Sequence, residues 1–516
     1  MNVVLNLPVL PARKGKKQRR EPLLFGSIIS IIPEIKKECV MSEYISELPV
    51  AVIGAGPVGL AAAAHLLARG LPVRIYEAGD AVGAHIRDWG HVRLFSPWRY
   101  NVDDVAKAML EPTGWQMPDP EALPTGAELV ASYLQPLAAL PPIAGALETG
   151  ARVTALSRQH MDKVVSRGRD DRPFILTVVT REGLRRDLAR AVIDATGTWG
   201  QPNPLGADGL PAAGEMRHAD RIAYGIPDVL GRDRALYEGK TVLVVGAGHS
   251  AANVLLDLES MAQSMPQMKL LWATRSRTLT RVYGGGKADK LAARGDLGGR
   301  LRHKVETGRI SLTAGIAIDS LAEADSRLLV RGETDRGQMT LGPVDRIIVA
   351  TGQRPDLSLT RELRVELDPW LESSRALGPM IDPNLHSCGS VPPHGHRELS
   401  HPERGFYTVG VKSYGRAPTF LLLTGYEQVR SVVAAIAGDM AAADDVRLVL
   451  PETGVCMTGP AAAGATCCAV PAARSEPEPA AAGCCGGPAP VEAAVSACCL
   501  DDLKAKVTTG KGCGCA

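Results

Sequence analysis

Eight of the eleven cysteines in this 516-residue chain fall into four close pairs near its end: Cys467-Cys468, Cys484-Cys485, Cys498-Cys499 and Cys513-x-Cys515. Directly adjacent cysteines are poor disulfide partners for each other, because the ring they close is strained. They do present two soft sulfurs side by side, which suits thiophilic ions such as As(III), Hg(II) or Cu(I) better than hard cations. The stretch has neither histidine nor C-x2-C spacing, which argues against an ordinary zinc finger. Linkers 469–483 and 486–497 are long enough for neighbouring pairs to fold over one ion. From Pro451 onward there is no Phe, Tyr, Trp or His, and Ala, Pro, Gly and Cys dominate. Such a composition buries too little apolar surface to offset the entropy of ordering. Residues 446–516 are therefore expected to be a disordered Cys-rich tail that captures a soft metal(loid) ion.

Glycines carry the second kind of chemistry. PVAVIGAGPVGLAAAAHLLARGLPVRIYEA begins at Pro49. It reads as a strand, Pro49 to Ile53, the turn Gly54-x-Gly56-Pro57-x-Gly59, an Ala/Leu helix to about Arg69, and a second strand ending at Glu77. Gly54 permits the tight turn, Gly56 lets a pyrophosphate reach the backbone, and Gly59 lets the helix meet the strand. The helix N-terminus offers N–H donors and partial positive charge to phosphates. Glu77 is placed to accept hydrogen bonds from ribose hydroxyls. The same grammar returns in TVLVVGAGHSAANVLLDL from Thr241, with Gly246, Gly248, Ser250 and Ala251, the last in place of the third glycine. Here the next strand runs into Thr274-Arg275-Ser276-Arg277 in place of an acid. A carboxylate there repels a 2′-phosphate, whereas Arg275 and Arg277 can hold one, so this second site reads as NADPH-preferring.

Two apolar strands, VIDATGTW (Val192–Trp199) and IIVATGQRP (Ile347–Pro355), end in Ala-Thr-Gly, one after each nucleotide unit. Such a pair resembles the strands by which flavoprotein reductases cross between their two domains, which implies Thr196, Gly197 and Gly352 at the crossings. GARVTALSR (Gly150–Arg158, including Val153) and PFILTVVT (Pro173–Thr180) read as a strand hairpin inserted in the first domain.

These motifs resemble the two-dinucleotide-binding flavoproteins. The chain is similar to the flavin-containing monooxygenases and to the flavoproteins associated with cation and arsenic resistance, over about residues 48 to 440. The resemblance implies FAD in the first site, with Val153 among its contacts, and NADPH in the second. The identifying monooxygenase pattern is met only in part by AAGEMRHADRI: Gly214 and His218 fit, Ala212 replaces an aromatic, Ile222 ends the segment, and Tyr224 is two residues late. The Gly-Asp pair that commonly meets the flavin ribitol has no counterpart in GFYTVGVKSYGRAPTFLLLTGYEQVR, which contains no Asp. Gly410, Lys412 and a helix starting near Thr424 are expected to approach the flavin instead. RDWGHVRLFSPWRYN (Arg87–Asn101) corresponds to a region that passes near the isoalloxazine in this superfamily. His91 and Arg93 are its candidates for contact with substrate or with the oxygen-activated flavin.

The expected fold is α/β. Two Rossmann-like domains make up residues 48–204 with 351–445 (FAD) and 205–350 (NADPH), after a leader over residues 1–47 and before the tail. RKGKKQRR (Arg13–Arg20) and LLFGSIISII (Leu23–Ile32) have the charged and apolar parts of a signal peptide. The apolar run is far short of the ~20 residues of a membrane span, and no small-residue cleavage site follows. An over-long start or a disordered leader is the expectation, a membrane anchor the alternative. A net charge of +2 gives no reason to expect nucleic acid or an anionic membrane as a partner. Nine cysteines lie in the tail and only Cys39 and Cys388 elsewhere, a distribution that fits a reducing cytosol. The expected activity is an NADPH-dependent flavin oxidase or monooxygenase acting in arsenic or metal resistance, on a small-molecule or metalloid substrate, with a homodimer admissible. A reductase that passes electrons to tail-bound metal or thiols, and a metallochaperone with a structural flavin, are the alternatives. No C-x-x-C stands in the body to support a thioredoxin-reductase mechanism.

Overall fold

The computed structural model describes residues 44–385, 391–418 and 420–451. The first lobe opens with strand β1 (Val50–Ile53), helix α1 (Pro57–Ala68) and strand β2 (Val73–Tyr76). Helix α2 (Asp104–Leu110) and strand β3 (Leu147–Glu148) follow. An antiparallel sheet of β4 (Arg152–Arg158), β5 (Phe174–Thr180) and β6 (Gly183–Ala189) comes next, then β7 (Ala191–Asp194). The hairpin expected from the sequence is thus two-thirds of a three-stranded sheet. β6 escapes pattern reading because GLRRDLA carries few of the alternating apolar residues that announce a strand.

The second lobe repeats this plan. β8 (Ile222–Tyr224), β9 (Thr241–Val245), α3 (His249–Ala262), β10 (Lys269–Thr274), α4 (Ala292–Glu306) and β11 (Ser311–Ala314) come in that order. A second antiparallel sheet, β12 (Ala317–Ala324), β13 (Arg327–Thr334) and β14 (Gly337–Val344), precedes β15 (Arg346–Val349). The chain then returns to the first lobe through β16 (Phe406–Thr408) and α5 (Leu422–Ile436). Both five-stranded sheets are wholly parallel, in the orders β16-β7-β1-β2-β3 and β11-β10-β9-β15-β8.

The central strands are apolar throughout because both of their faces are covered. In β1, Val50 and Val52 join the core under α1, while Ala51 and Ile53 join the one under β4–β6. In β9, Val242 and Val244 face the α3 side and Leu243 and Val245 the β12–β14 side. Helix α1 is buried on nearly every side, with Ala61 to Ala64 fully covered. A run of alanines suits that place, since small side chains let the helix lie close to its neighbours. The return segment is bolted to the first lobe by a buried triad, in which Arg158 and Arg169 each hold Glu403 at 2.8 Å. Among the described residues no helix is long and apolar enough to cross a membrane.

Candidate functional site

At the end of β1, Gly54 has φ +100°, and a β-carbon there would stand 2.7 Å from the carbonyl oxygen of Ala195. The second lobe repeats the arrangement: Gly246 has φ +135°, and its β-carbon would run into the carbonyl oxygen of Ala350. The first glycine of each turn and the Ala-Thr-Gly of the neighbouring strand are therefore one device. Backbone bonds seal it, from Ala195 N–H to Ile53 at 2.9 Å and from Ala350 N–H to Val245 at 2.8 Å. A β-carbon on Gly59 would strike the Gly54 carbonyl, so the third glycine sets how close α1 comes to β1. Ala251 occupies that position in α3 and is fully buried. There the helix stands off by enough to admit a methyl.

Gly56 and Gly248 are the N-caps of α1 and α3. A β-carbon on either would meet no protein atom within 4 Å, so at both helix ends bare backbone faces open space. Unpaired first-turn N–H groups and the helix dipole make each a fit for a pyrophosphate. Pro57 begins α1 at no cost, since its missing N–H is one the helix cannot use. Ser250 lies half-buried in the first turn of α3.

Glu77 follows β2 directly. Its carboxylate accepts from Ala55 N–H and Gly79 N–H, each at 2.7 Å, and so ties the glycine turn to the strand end. Each of its oxygens retains a lone pair for a ribose hydroxyl. Val153, on β4, is half-buried and packs against the core that contains Tyr76 and Phe174. Arg275 and Arg277 follow β10 and are exposed: Arg275 donates to the carbonyl of Ala207 at 2.8 Å, and Arg277 pairs with Asp335 at 2.8 Å. An exposed ion pair is weak, so these contacts are easily exchanged for a phosphate.

Lys412 is held in a buried ion pair at the end of β7. Its ammonium donates to Asp194 at 2.7 Å and to the Thr196 hydroxyl at 2.9 Å, with both charges almost wholly buried. Asp194, the last residue of β7, was not among the expected site residues. Its signal was present: an acid closing an otherwise apolar strand needs a buried partner, and Lys412 stands in a similarly apolar segment. Gly410, at φ +71°, lies against Val58 of α1, and its N–H donates to Gln428 of α5 at 2.8 Å. The return segment thus reaches the first glycine turn through Gly410, Lys412 and α5 together.

The two chain crossings are stitched to each other. Asn203 N–H donates to the carbonyl of Gly352 at 2.9 Å, and Thr198 donates to Gln353 at 3.2 Å. Gly352 has φ +90° and Gly197 φ +70°, which lets both strands turn sharply after their Ala-Thr. The Arg87–Asn101 segment meets the second lobe alongside. Trp199 donates its indole N–H to Asp88 at 3.0 Å, and Phe95 stacks on His249 with ring centroids 5.2 Å apart. His91 sits beside Pro227 and Asp228, with its Nε2 buried and unpartnered, and burial lowers its pKa. Arg93 turns away to the surface, where it contacts Glu128 and the carbonyl of Leu123. The structure brings His91 to the junction between lobes and leaves Arg93 at the outer edge of the same loop.

Gly214 and His218 help build a corner of the second lobe. Glu215 between them accepts from Leu205 N–H, Ala212 N–H and the Tyr224 hydroxyl, at 2.9, 2.6 and 2.5 Å. All eleven cysteines lie outside the described residues, including Cys467, Cys468, Cys484, Cys485, Cys498, Cys499, Cys513 and Cys515.

Two parallel-sheet lobes, each with a glycine turn locked to an Ala-Thr-Gly strand, define a two-dinucleotide-binding flavoprotein oxidoreductase, a class that works with FAD and NADPH. The chain belongs to the pyridine nucleotide-disulphide oxidoreductase family, whose model matches residues 51–376. It is 30% identical to a thiamine thiazole synthase from Pyrobaculum calidifontis over 190 residues, covering 35% of this chain and 67% of that one. The bacillithiol disulfide reductase Bdr from Bacillus cereus superposes with a TM-score of 0.55 at 18% identity, covering 76% of this chain and 99% of its own. The cadaverine monooxygenase DfoA from Erwinia amylovora, solved with FAD, gives 0.54 at 14% identity, covering 80% and 98%. At such identities the two structures establish shared fold.

Proposed function

We propose that this protein is an NADPH-dependent flavin oxidoreductase of the monooxygenase type. FAD lies on the α1 turn, NADPH on the α3 turn, and the Cys-paired tail serves the capture of soft metal(loid) ions. The observation that carries the reading is the pair of bare helix N-caps at Gly56 and Gly248, one per lobe, each beside its crossing strand. Gly54, Gly56 and Gly59 admit the FAD pyrophosphate, and Glu77 takes the ribose. Thr196, Gly197, Gly410 and Lys412 would hold the ribityl part of the FAD. Gly246, Gly248, Ser250 and Ala251 do the same for NADPH, with Arg275 and Arg277 released to its 2′-phosphate. When bound, the cofactors supply hydride transfer and oxygen activation. The chain orients them, and through the packed Arg87–Asn101 loop it keeps water from the junction.

The described lobes contain no cysteine, so they offer the flavin no dithiol relay. That favours direct oxidation of a small substrate over disulfide reduction. The doubled cysteines motivate an arsenical or another thiophilic species as that substrate or its companion. NADPH consumption measured with and without oxygen is the test. Oxygen-dependent turnover supports the reading, turnover only under anaerobic conditions with metal supports a reductase, and no turnover leaves a metallochaperone. A chain cut after Asp445 is expected to keep FAD and NADPH oxidation and to lose tight binding of As(III).

A further inference from the structure

We propose that Asp335, on the hairpin turn between β13 and β14, tunes the choice of pyridine nucleotide in the second lobe by competing with a 2′-phosphate for Arg277. The inference rests on the reading that the α3 turn takes NADPH, and it adds an opponent to the two arginines that would read the phosphate. A carboxylate oxygen of Asp335 lies 2.8 Å from a guanidinium nitrogen of Arg277. Both side chains are more than half exposed, 61% for Arg277 and 52% for Asp335, so the pair is open to a solute that reaches the end of β10.

The first lobe has the same kind of cross-link with its charges exchanged. Asp80, three residues past Glu77, pairs with Arg181 at 2.8 Å. Arg181 and Asp335 hold the same place in their lobes. Each is the first residue after the middle strand of a three-stranded antiparallel sheet, in the two-residue turn that leads to the third strand. β2 and β10 likewise hold equal places in the parallel sheets. In the first lobe the segment after β2 carries the acids Glu77 and Asp80, and the turn answers with a cation. In the second the segment after β10 carries Arg275 and Arg277, and the turn answers with an anion. A phosphate on Arg277 has to displace that anion or sit beside it.

Arg277 keeps its place without Asp335. Gly315, directly after β11, has φ +77°, and a β-carbon there would stand 2.7 Å from Cγ of Arg277 and 3.2 Å from its Nε. The stem of the arginine thus lies against bare backbone. Gly315 N–H donates to the Thr274 carbonyl at 2.8 Å, which ties that backbone to the end of β10. On either side of Arg277, the Thr274 hydroxyl donates to the Ser276 carbonyl at 2.8 Å and the Ser276 hydroxyl to the Thr278 carbonyl at 2.9 Å. The turn holds its form independently of the Asp335 side chain: Arg336 N–H donates to the Thr334 hydroxyl at 3.2 Å, and that hydroxyl to the Gly337 carbonyl at 3.0 Å. What Asp335 contributes is negative charge, which occupies the receptor of a phosphate and repels it.

The test is calorimetric titration of purified, FAD-loaded wild type, Asp335→Asn, Asp335→Ser and Arg277→Ala with NADP+ and with NAD+. An exposed ion pair corresponds to about 1.5- to fivefold in an equilibrium, so both neutral variants at Asp335 are expected to bind NADP+ tighter by that factor and NAD+ as wild type does. The gain should shrink at about 1 M salt, where charges more than about 3 Å apart are screened. Unchanged or weaker NADP+ binding in Asp335→Asn, with Arg277→Ala weakened, overturns the competition while the phosphate reading stands; Asp335→Ser decides if the asparagine variant does not fold. An equal gain for NAD+ overturns it as well. Arg277→Ala that binds NADP+ as tightly as wild type overturns the phosphate reading of Arg277, and the competition with it.

Discussion

The two sheets run in one strand order, β3-β2-β1-β7-β16 against β11-β10-β9-β15-β8, and each carries a three-stranded antiparallel sheet just before its Ala-Thr-Gly strand. They differ where a nucleotide would meet them. β2 gives way to Glu77, β10 to Arg275; α1 begins with Pro57, α3 with His249; β7 ends in a buried Asp194, β15 in Val349. The shared positions are those where backbone meets backbone, and they tolerate little but glycine. The divergent ones are where, on the proposed reading, the two lobes would tell one dinucleotide from the other. At the end of its crossing strand only the first lobe has a buried acid, and the chain pairs it with Lys412, more than 200 positions away from Asp194.

The sharpest way to break the comparison is to fill one N-cap at a time. Because a β-carbon at Gly56 or Gly248 meets no protein atom within 4 Å, Gly56→Val is expected to fold yet lose its flavin absorbance, while Gly248→Val should keep the flavin and lose NADP+ binding. Absorbance spectra and NADP+ titration of the two variants check this, and a flavin-replete Gly56→Val would undo the assignment of the first lobe.

Next in size is the buried Lys412–Asp194 pair, which has no counterpart at the end of β15 in the second lobe. Lys412→Met leaves Asp194 buried and uncompensated, which costs about 3–5 kcal/mol of folding stability. Denaturant unfolding should show that loss, and adding Asp194→Leu should restore much of it. A single variant as stable as wild type would mean the charge finds another partner.

The smallest effect concerns the arginine that replaces an acid after β10. Arg275→Ala should raise the KM for NADPH about ten- to a hundredfold, from the loss of a charge-assisted contact worth about 1.5–3 kcal/mol, and leave that for NADH nearly unchanged. Equal changes for both nucleotides would show that Arg275 does not read the 2′-phosphate.

Both nucleotide units were legible as sequence because each is a contiguous run whose spacing follows from local sterics. A strand, a turn that excludes β-carbons and a helix start are dictated within about thirty residues. The Ala-Thr-Gly strands could likewise be seen in place, but not that Ala195 and Ala350 are what press on Gly54 and Gly246. β6 and β12–β14 were not seen, since β-strands half-exposed on small sheets carry weak periodicity. Asp194 and Lys412 each stood out as a charge in an apolar setting, yet their pairing is a fact of three dimensions. The same holds for Phe95 and His249, drawn from two lobes 154 positions apart. By itself the sequence determined the local form of each nucleotide-motif segment, because backbone geometry acts between neighbours along the chain. Which side chains close the site across the lobes was decided by tertiary structure alone, because burial and proximity between distant residues exist only once both sheets have packed.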